Sequence, residues 1–180
     1  MITNKISATL VLLAILSGCQ NRTKEPVKQT FFNNLGSLCG QTFTGYSTFP
    51  EDPEHDFAGK LLVADFNDCR KNEVRIQFDV GTDRSRTWVI TQSKGGLLLK
   101  HDHRHEDGTP DEITNYGGWA SDEGTVWQQH FEADQETASL IPAASTNVWM
   151  LDYDTESQTL TYDLKRHGLP RYQAQLKPQN

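Results

Sequence analysis

Residues 74–80 read VRIQFDV, and residues 159–164 read TLTYDL. In the first, Val74, Ile76, Phe78 and Val80 alternate with Arg75, Gln77 and Asp79; in the second, Leu160, Tyr162 and Leu164 alternate with Thr159, Thr161 and Asp163. A period of two marks a strand with one face on a core and the other in water, because successive side chains leave a pleated strand on opposite sides. Working outward from these stretches, the same pattern predicts strands over 41–48, 60–66, 73–80, 87–93, 97–103, 124–131, 147–153, 159–165 and 171–176. Gly81-Thr82-Asp83, Gly95-Gly96, Asp107-Gly108 and DTES at 154–157 punctuate the gaps with turn chemistry. Residues 116–119 (YGGW) read as a bend or bulge. Short gaps favour antiparallel neighbours, since a parallel crossover needs about a dozen residues or more. No long amphipathic helix separates the strands, which excludes an α/β sheet. The expected fold is all-β: an antiparallel meander closing into a lipocalin-like barrel, with a two-sheet sandwich as the alternative.

Ahead of the strands, Phe31, Phe32, Leu35 and Leu38 recur at helical spacing before Gly40 breaks the pattern. This predicts a short helix that plugs or abuts the domain. Earlier still, Lys5 precedes an apolar run over 6–16 (ISATLVLLAIL), shorter than the roughly 20 residues a spanning helix needs. Leu16-Ser17-Gly18-Cys19 resembles a bacterial lipobox. The resemblance implies cleavage before Cys19, lipidation of its sulfur and acylation of the new amino terminus; an ordinary cleaved signal is the other reading. Gln20 stands where an Asp would be the inner-membrane retention signal, so the expected location is the cell envelope, at the outer membrane and facing the periplasm. Residues 1–18 are then a signal, 19–30 a lipidated flexible tether, and 31–180 a single β-rich domain.

Composition agrees with an exported domain. The 180 residues suit one domain, and Lys+Arg 17 against Asp+Glu 24 gives a formal charge of −7. That balance argues against a nucleic-acid partner, whose footprint is a basic stripe. A hydrophobic content of 36% with a mean hydropathy of −0.63 excludes a polytopic membrane protein. With Cys19 committed to lipid, Cys39 and Cys69 remain, an even pair that reads as a disulfide in an oxidising compartment. A two-cysteine metal site is the competing reading, although neither cysteine lies in a CxxC. Closing that loop stabilises the fold by about 3–4 kcal/mol in the chain-entropy account.

Chemistry-bearing residues concentrate at 100–108 (KHDHRHEDG), which holds three of the 6 histidines at alternate positions. On a strand, His101, His103 and His105 share a face, with neighbours about 6.8 Å apart. Imidazoles so spaced suit zinc if His55, His130, Asp107 or Asp111 adds a ligand, and a bend is needed for all three to reach one ion. The plainer reading is a polar strand end running into a hairpin. Glu106, Asp107, Asp111 and Glu112 supply oxygens, but D-x-D-x-D-G calcium spacing is missing. Arg84 and Arg86 flank Ser85 directly after a strand, an arrangement that suits an anion; alternatively Asp83 pairs with an arginine and Trp88 enters the core. Ser85 lies in no G-x-S-x-G elbow and has no assigned base. Trp88, Trp119, Trp127 and Trp149 fall in or beside strands, as core or as the lining of a ligand cavity.

The stretches LCGQTFTG (38–45), VGTDRSRTW (80–88), LKHDHRHEDGTPD (99–111), NYGGW (115–119) and STNVWML (145–151) resemble a family of uncharacterised bacterial secreted proteins and lipoproteins. The resemblance implies one exported domain and carries over no catalytic residue. Two functions are expected from the sequence. The first is a non-enzymatic envelope lipoprotein that binds a small molecule, a metal or another envelope component, with a membrane contact through its lipid. The second is a metal-assisted hydrolase built on His101, His103 and His105, with zinc as the cofactor.

Overall fold

The computed structural model describes residues 27–179. The signal, Cys19 and the tether up to residue 26 lie outside the described residues. Ten strands follow one another: β1 (Thr42–Phe49), β2 (Leu62–Arg70), β3 (Glu73–Val80), β4 (Asp83–Ser93), β5 (Gly96–His103), β6 (Tyr116–Ala120), β7 (Gln128–Ala133), β8 (Asn147–Asp154), β9 (Thr159–Arg166) and β10 (Leu169–Pro178). Each pairs antiparallel with the next, and β1 also pairs with β10, so the meander closes into a barrel. Closure leaves no sheet edge to be templated by another chain. The barrel is therefore the fold, and the two-sheet alternative is set aside.

The alternation read from the sequence sets which side chains point inward. Val74, Ile76, Phe78 and Val80 of β3 are all buried, as are Leu160 and Tyr162 of β9. Three boundaries differ from the expectation. Tyr116–Ala120 is a full strand paired to β5 and β7, not a bend. Its two glycines are required by proximity: a Cβ at Gly117 would strike the Leu99 carbonyl, and one at Gly118 the Glu132 carbonyl. A six-residue helix α2 (Gln135–Leu140), capped by the Asp134 carboxylate on the Thr137 N–H at 2.8 Å, fills part of the β7–β8 connection. The N-terminal helix α1 spans Val27–Gly36, so residues 27–30 belong to it rather than to a tether. Polar side chains fix this first turn: Lys28 reaches Asp122 at 2.8 Å, and the side-chain amides of Gln29 and Gln92 exchange hydrogen bonds.

Because the strands run up and down, the connections sort into two ends. The β2–β3, β4–β5, β6–β7 and β8–β9 turns lie at one end, and the other five connections lie at the opposite end. Helix α1 and the turn after it cap the first end, with Phe31, Phe32, Leu35 and, in the turn, Leu38 each no more than 4% exposed. Phe31 meets Phe131 edge-on at 6.4 Å between ring centres. The Cys39–Cys69 disulfide ties the segment after α1 to the end of β2 at this same end. No helix among the described residues is long and apolar enough to cross a membrane.

Candidate functional site: a cavity at the open end of the barrel

Hydrophobic packing fills the plugged half, but the same inward positions turn polar toward the opposite end. Along β9 the inward series runs Leu160, Tyr162, Leu164, Arg166; along β5 it runs Leu97, Leu99, His101, His103; along β4 it ends at Arg86 beyond Trp88. These ends and the connections above them line a cavity of about 600 Å³. That volume suits a drug-sized molecule. The β1–β2 connection contributes His55 and Phe57, and the β5–β6 connection contributes Asp111 and Ile113.

Rings dominate the cavity wall. Phe78, Trp88 and Tyr162 form a stack, with ring centres 4.4 Å apart in both pairs. His101 stacks on Tyr116 at 4.8 Å, and Trp149 lies 5.3 Å from His101. Trp88 and Trp149 are thus both core and cavity wall, so the two readings of the tryptophans merge there. Trp119 instead faces outward at 43% exposure, and Trp127 packs on Tyr153 near the plugged end.

Two histidine–tyrosine pairs line the wall. His101 Nδ1 lies 3.2 Å from the Tyr116 carbonyl oxygen, and its Nε2 lies 2.9 Å from the Tyr162 hydroxyl. A carbonyl can only accept, so Nδ1 carries the proton and Nε2 is the bare acceptor. Burial drives the His101 pKa down to about 3, so the ring is neutral throughout the physiological range. His103 Nε2 meets the Tyr116 hydroxyl at 3.0 Å, and burial lowers its pKa as well. The phenols shift the other way for the same reason: Tyr116 is pushed up to about 12 and Tyr162 well above 10.

The charged groups sit on the rim. Arg86 pairs with Asp83 at 2.5 Å and lies 5.2 Å from the centre of the Phe57 ring. Arg166 is oriented by a hydrogen bond from its Nε to Asn147 Oδ1 at 2.8 Å. Burial, followed by the charge of Arg171, lowers the Arg166 pKa from its ordinary value. Asp52, Asp56 and Asp111 complete the charged lining.

The structure separates the three clustered histidines. His101 and His103 enter the cavity, each bound to a tyrosine hydroxyl, whereas β5 ends at His103 and His105 swings out beyond it. Among the described residues, the group whose ligand atoms all lie within 4.8 Å of one another is His105, Asp111 and Glu112, not the histidine triplet. The chain turn at Asp107-Gly108, where Arg104 bridges to Pro110, is what parts them. Of the other ligands considered, His55 stacks on Tyr172 at the cavity and His130 bonds Gln128. Asp107 folds onto Thr109. Arg84 and Arg86 are separated too. Arg84 is exposed over Asp79 in an outer groove with Arg104 and His105, while only Arg86 lines the cavity. The expected Asp83–arginine pair and the buried Trp88 are both present.

Tyr116, Asn147, Tyr162, Arg166, Arg171 and Tyr172 were not singled out by sequence reasoning. A signal for one of them existed: Arg166, like His103 on β5, continues an inward apolar alternation with a polar side chain, which marks where a packed barrel gives way to a cavity. No family model, no curated protein and no solved structure matches the chain.

Proposed function

We propose that the protein is a non-enzymatic binding module of the cell envelope, lipid-anchored through Cys19, that takes a small molecule into the open end of its barrel. The observation that carries this reading is the cavity of about 600 Å³ above a packed, helix-plugged half. A scaffold of paired strands with preformed, ring-lined walls binds without reorganising, which is the economical way to hold a ligand. The lipobox-like segment and the resemblance to secreted lipoproteins support the anchor. Helix α1 begins at the plugged end, and the eight Cα–Cα steps from Cys19 to Val27 reach at most about 28 Å. Lipidation at Cys19 would therefore tether the domain from its plugged end, opposite the cavity.

Two experiments test this. Phenylnaphthylamine, an uncharged fluorescent probe, should brighten on binding the mature protein. Leu164→Trp, which intrudes into the cavity, should weaken the response at an unchanged melting temperature. A response identical in wild type and Leu164→Trp removes the cavity reading. For the anchor, globomycin should block processing and Cys19→Ser should release the protein from membranes; processing that ignores globomycin removes the lipoprotein reading.

A further inference from the structure

The seven described arginines divide sharply by their partners. Arg70, Arg75, Arg84, Arg86 and Arg104 each have a carboxylate within 4.0 Å. Arg166 and Arg171 form no such ion pair among the described residues, and both line the same cavity. This occurs in a chain with Asp+Glu 24 against Lys+Arg 17, where acidic partners are in surplus. The nearby acids do not serve: Asp52 folds onto the Glu54 N–H at 3.0 Å and Asp111 onto the Ile113 N–H at 2.9 Å, while Asp56 stays beyond ion-pair distance. Instead Arg166 is held by Asn147, a neutral side chain only 4% exposed. An amide that orients a guanidinium without neutralising it leaves the charge available. Two cations that line one cavity repel, and the repulsion is relieved when an anion joins them. Guanidinium groups bind carboxylate, sulfonate or phosphate oxygens with paired N–H donors, a geometry an ammonium does not reproduce.

We propose that Arg166 and Arg171 form the anion-recognition site of the cavity, and that the ligand is an organic anion whose ring-bearing apolar body lies against the aromatic wall. The proposal rests on the binding-module reading and adds the chemical class of the ligand. The body is ring-bearing because rings are the larger share of the apolar wall: Phe78, Trp88, Tyr116, Trp149, Tyr162 and Tyr172 line it, beside the smaller aliphatic side chains of Pro50, Ile113, Ile141, Ala144 and Leu164. Flat faces and polar ring edges match another ring better than a flexible chain. The depth of the cavity is uncharged, with His101 neutral and the tyrosines protonated, so the anionic end belongs at the rim and the apolar end inside.

Anilinonaphthalene sulfonate and phenylnaphthylamine share one ring body and differ by a single sulfonate. With the mature protein, the sulfonate should bind at least tenfold more tightly than the amine. The Arg166→Gln/Arg171→Gln variant should lose that preference and keep its affinity for the amine, which also reports that the barrel is intact. Arg166→Lys/Arg171→Lys should retain part of the preference. Dodecanoate, an aliphatic anion, should displace the sulfonate poorly. Equal binding of both probes to the wild type, or a preference that persists in the glutamine variant, overturns the anion site while leaving the cavity as a binding site. Dodecanoate competing as well as an aromatic acid overturns the ring-bearing body. Binding of neither probe overturns the binding-module reading itself.

Discussion

The Tyr162 hydroxyl donates to Nε2 of His101 across 2.9 Å, because Nδ1 of that ring is already committed to the Tyr116 carbonyl. One backbone carbonyl thus fixes a tautomer, and the tautomer fixes the direction of a hydroxyl on a strand across the barrel. Both side chains are buried, and burial disfavours the charged form of each. The result is a polar but uncharged inner wall beneath a charged rim.

This wall gives the fold a pH dependence with a definite sign. The His101 pKa falls from 6.5 to about 3 on folding. Below 6.5 the unfolded chain takes up a proton that the folded chain refuses, so stability is lost as pH falls from 6.5 toward 3. His103, also lowered, adds in the same direction. Asp83, lowered to about 2, works in a separate window below 3.8. At about 1.4 kcal/mol per pKa unit, the full His101 effect is roughly 4–5 kcal/mol by pH 3. His101→Gln should be less stable than wild type at neutral pH yet lose less stability between pH 6 and 4. Urea denaturation across that range checks it, and parallel slopes for the two proteins would sink the assignment.

Substitution at the β6–β7 contact tests whether closure of the barrel depends on close backbone approach. A Cβ on Gly118 meets the Glu132 carbonyl oxygen and carbon, neither of which can move without breaking the ladder. Gly118→Ala should therefore destabilise by more than about 3 kcal/mol, above the usual range for single substitutions. Gly36→Ala is the control, since a Cβ there meets nothing within 4 Å. A Gly118→Ala midpoint equal to that of the control would contradict the register.

The plug is open to a direct measurement as well. Phe31 is 2% exposed and packs on Phe131. Phe31→Ala should cost about 3–5 kcal/mol, the usual range for emptying an aromatic site in a core. Thermal melts in which Phe31→Ala loses less than about 1 kcal/mol would mean that α1 rests on the barrel without sealing it.

The sequence revealed the parts of this fold that follow from period-two alternation. Val74 to Val80 and Leu160 to Leu164 pointed to strands whose buried face is now seen. Strand β6 was hidden because its glycines answer to neighbours far away in sequence, Leu99 and Glu132, and local chemistry reads such residues as a break. Helix α2 was hidden by its shortness: QETASL is polar and carries no apolar stripe. The site was less legible still. Inwardness follows from phase, but whether an inward Tyr162 lies in packed core or faces open space depends on how the opposite wall is filled. The pairing of Arg166 with Asn147 crosses from β9 to β8, which no spacing rule encodes. The histidine cluster attracted notice through its density and same-face spacing, and the turn after Arg104 dispersed it.

A barrel stoppered at its foot by Phe31, Phe32 and Leu35 has its cavity at the other end. On the binding-module proposal, cargo is not handed straight through toward whatever lies under the plug; it is surrendered at the lip where it was received. The β1–β2, β5–β6 and β7–β8 connections, which line that lip, would then govern how long a guest stays. Their lengths and side chains can change without disturbing the disulfide-tied base. Residence time and foundation are, in this architecture, separately adjustable.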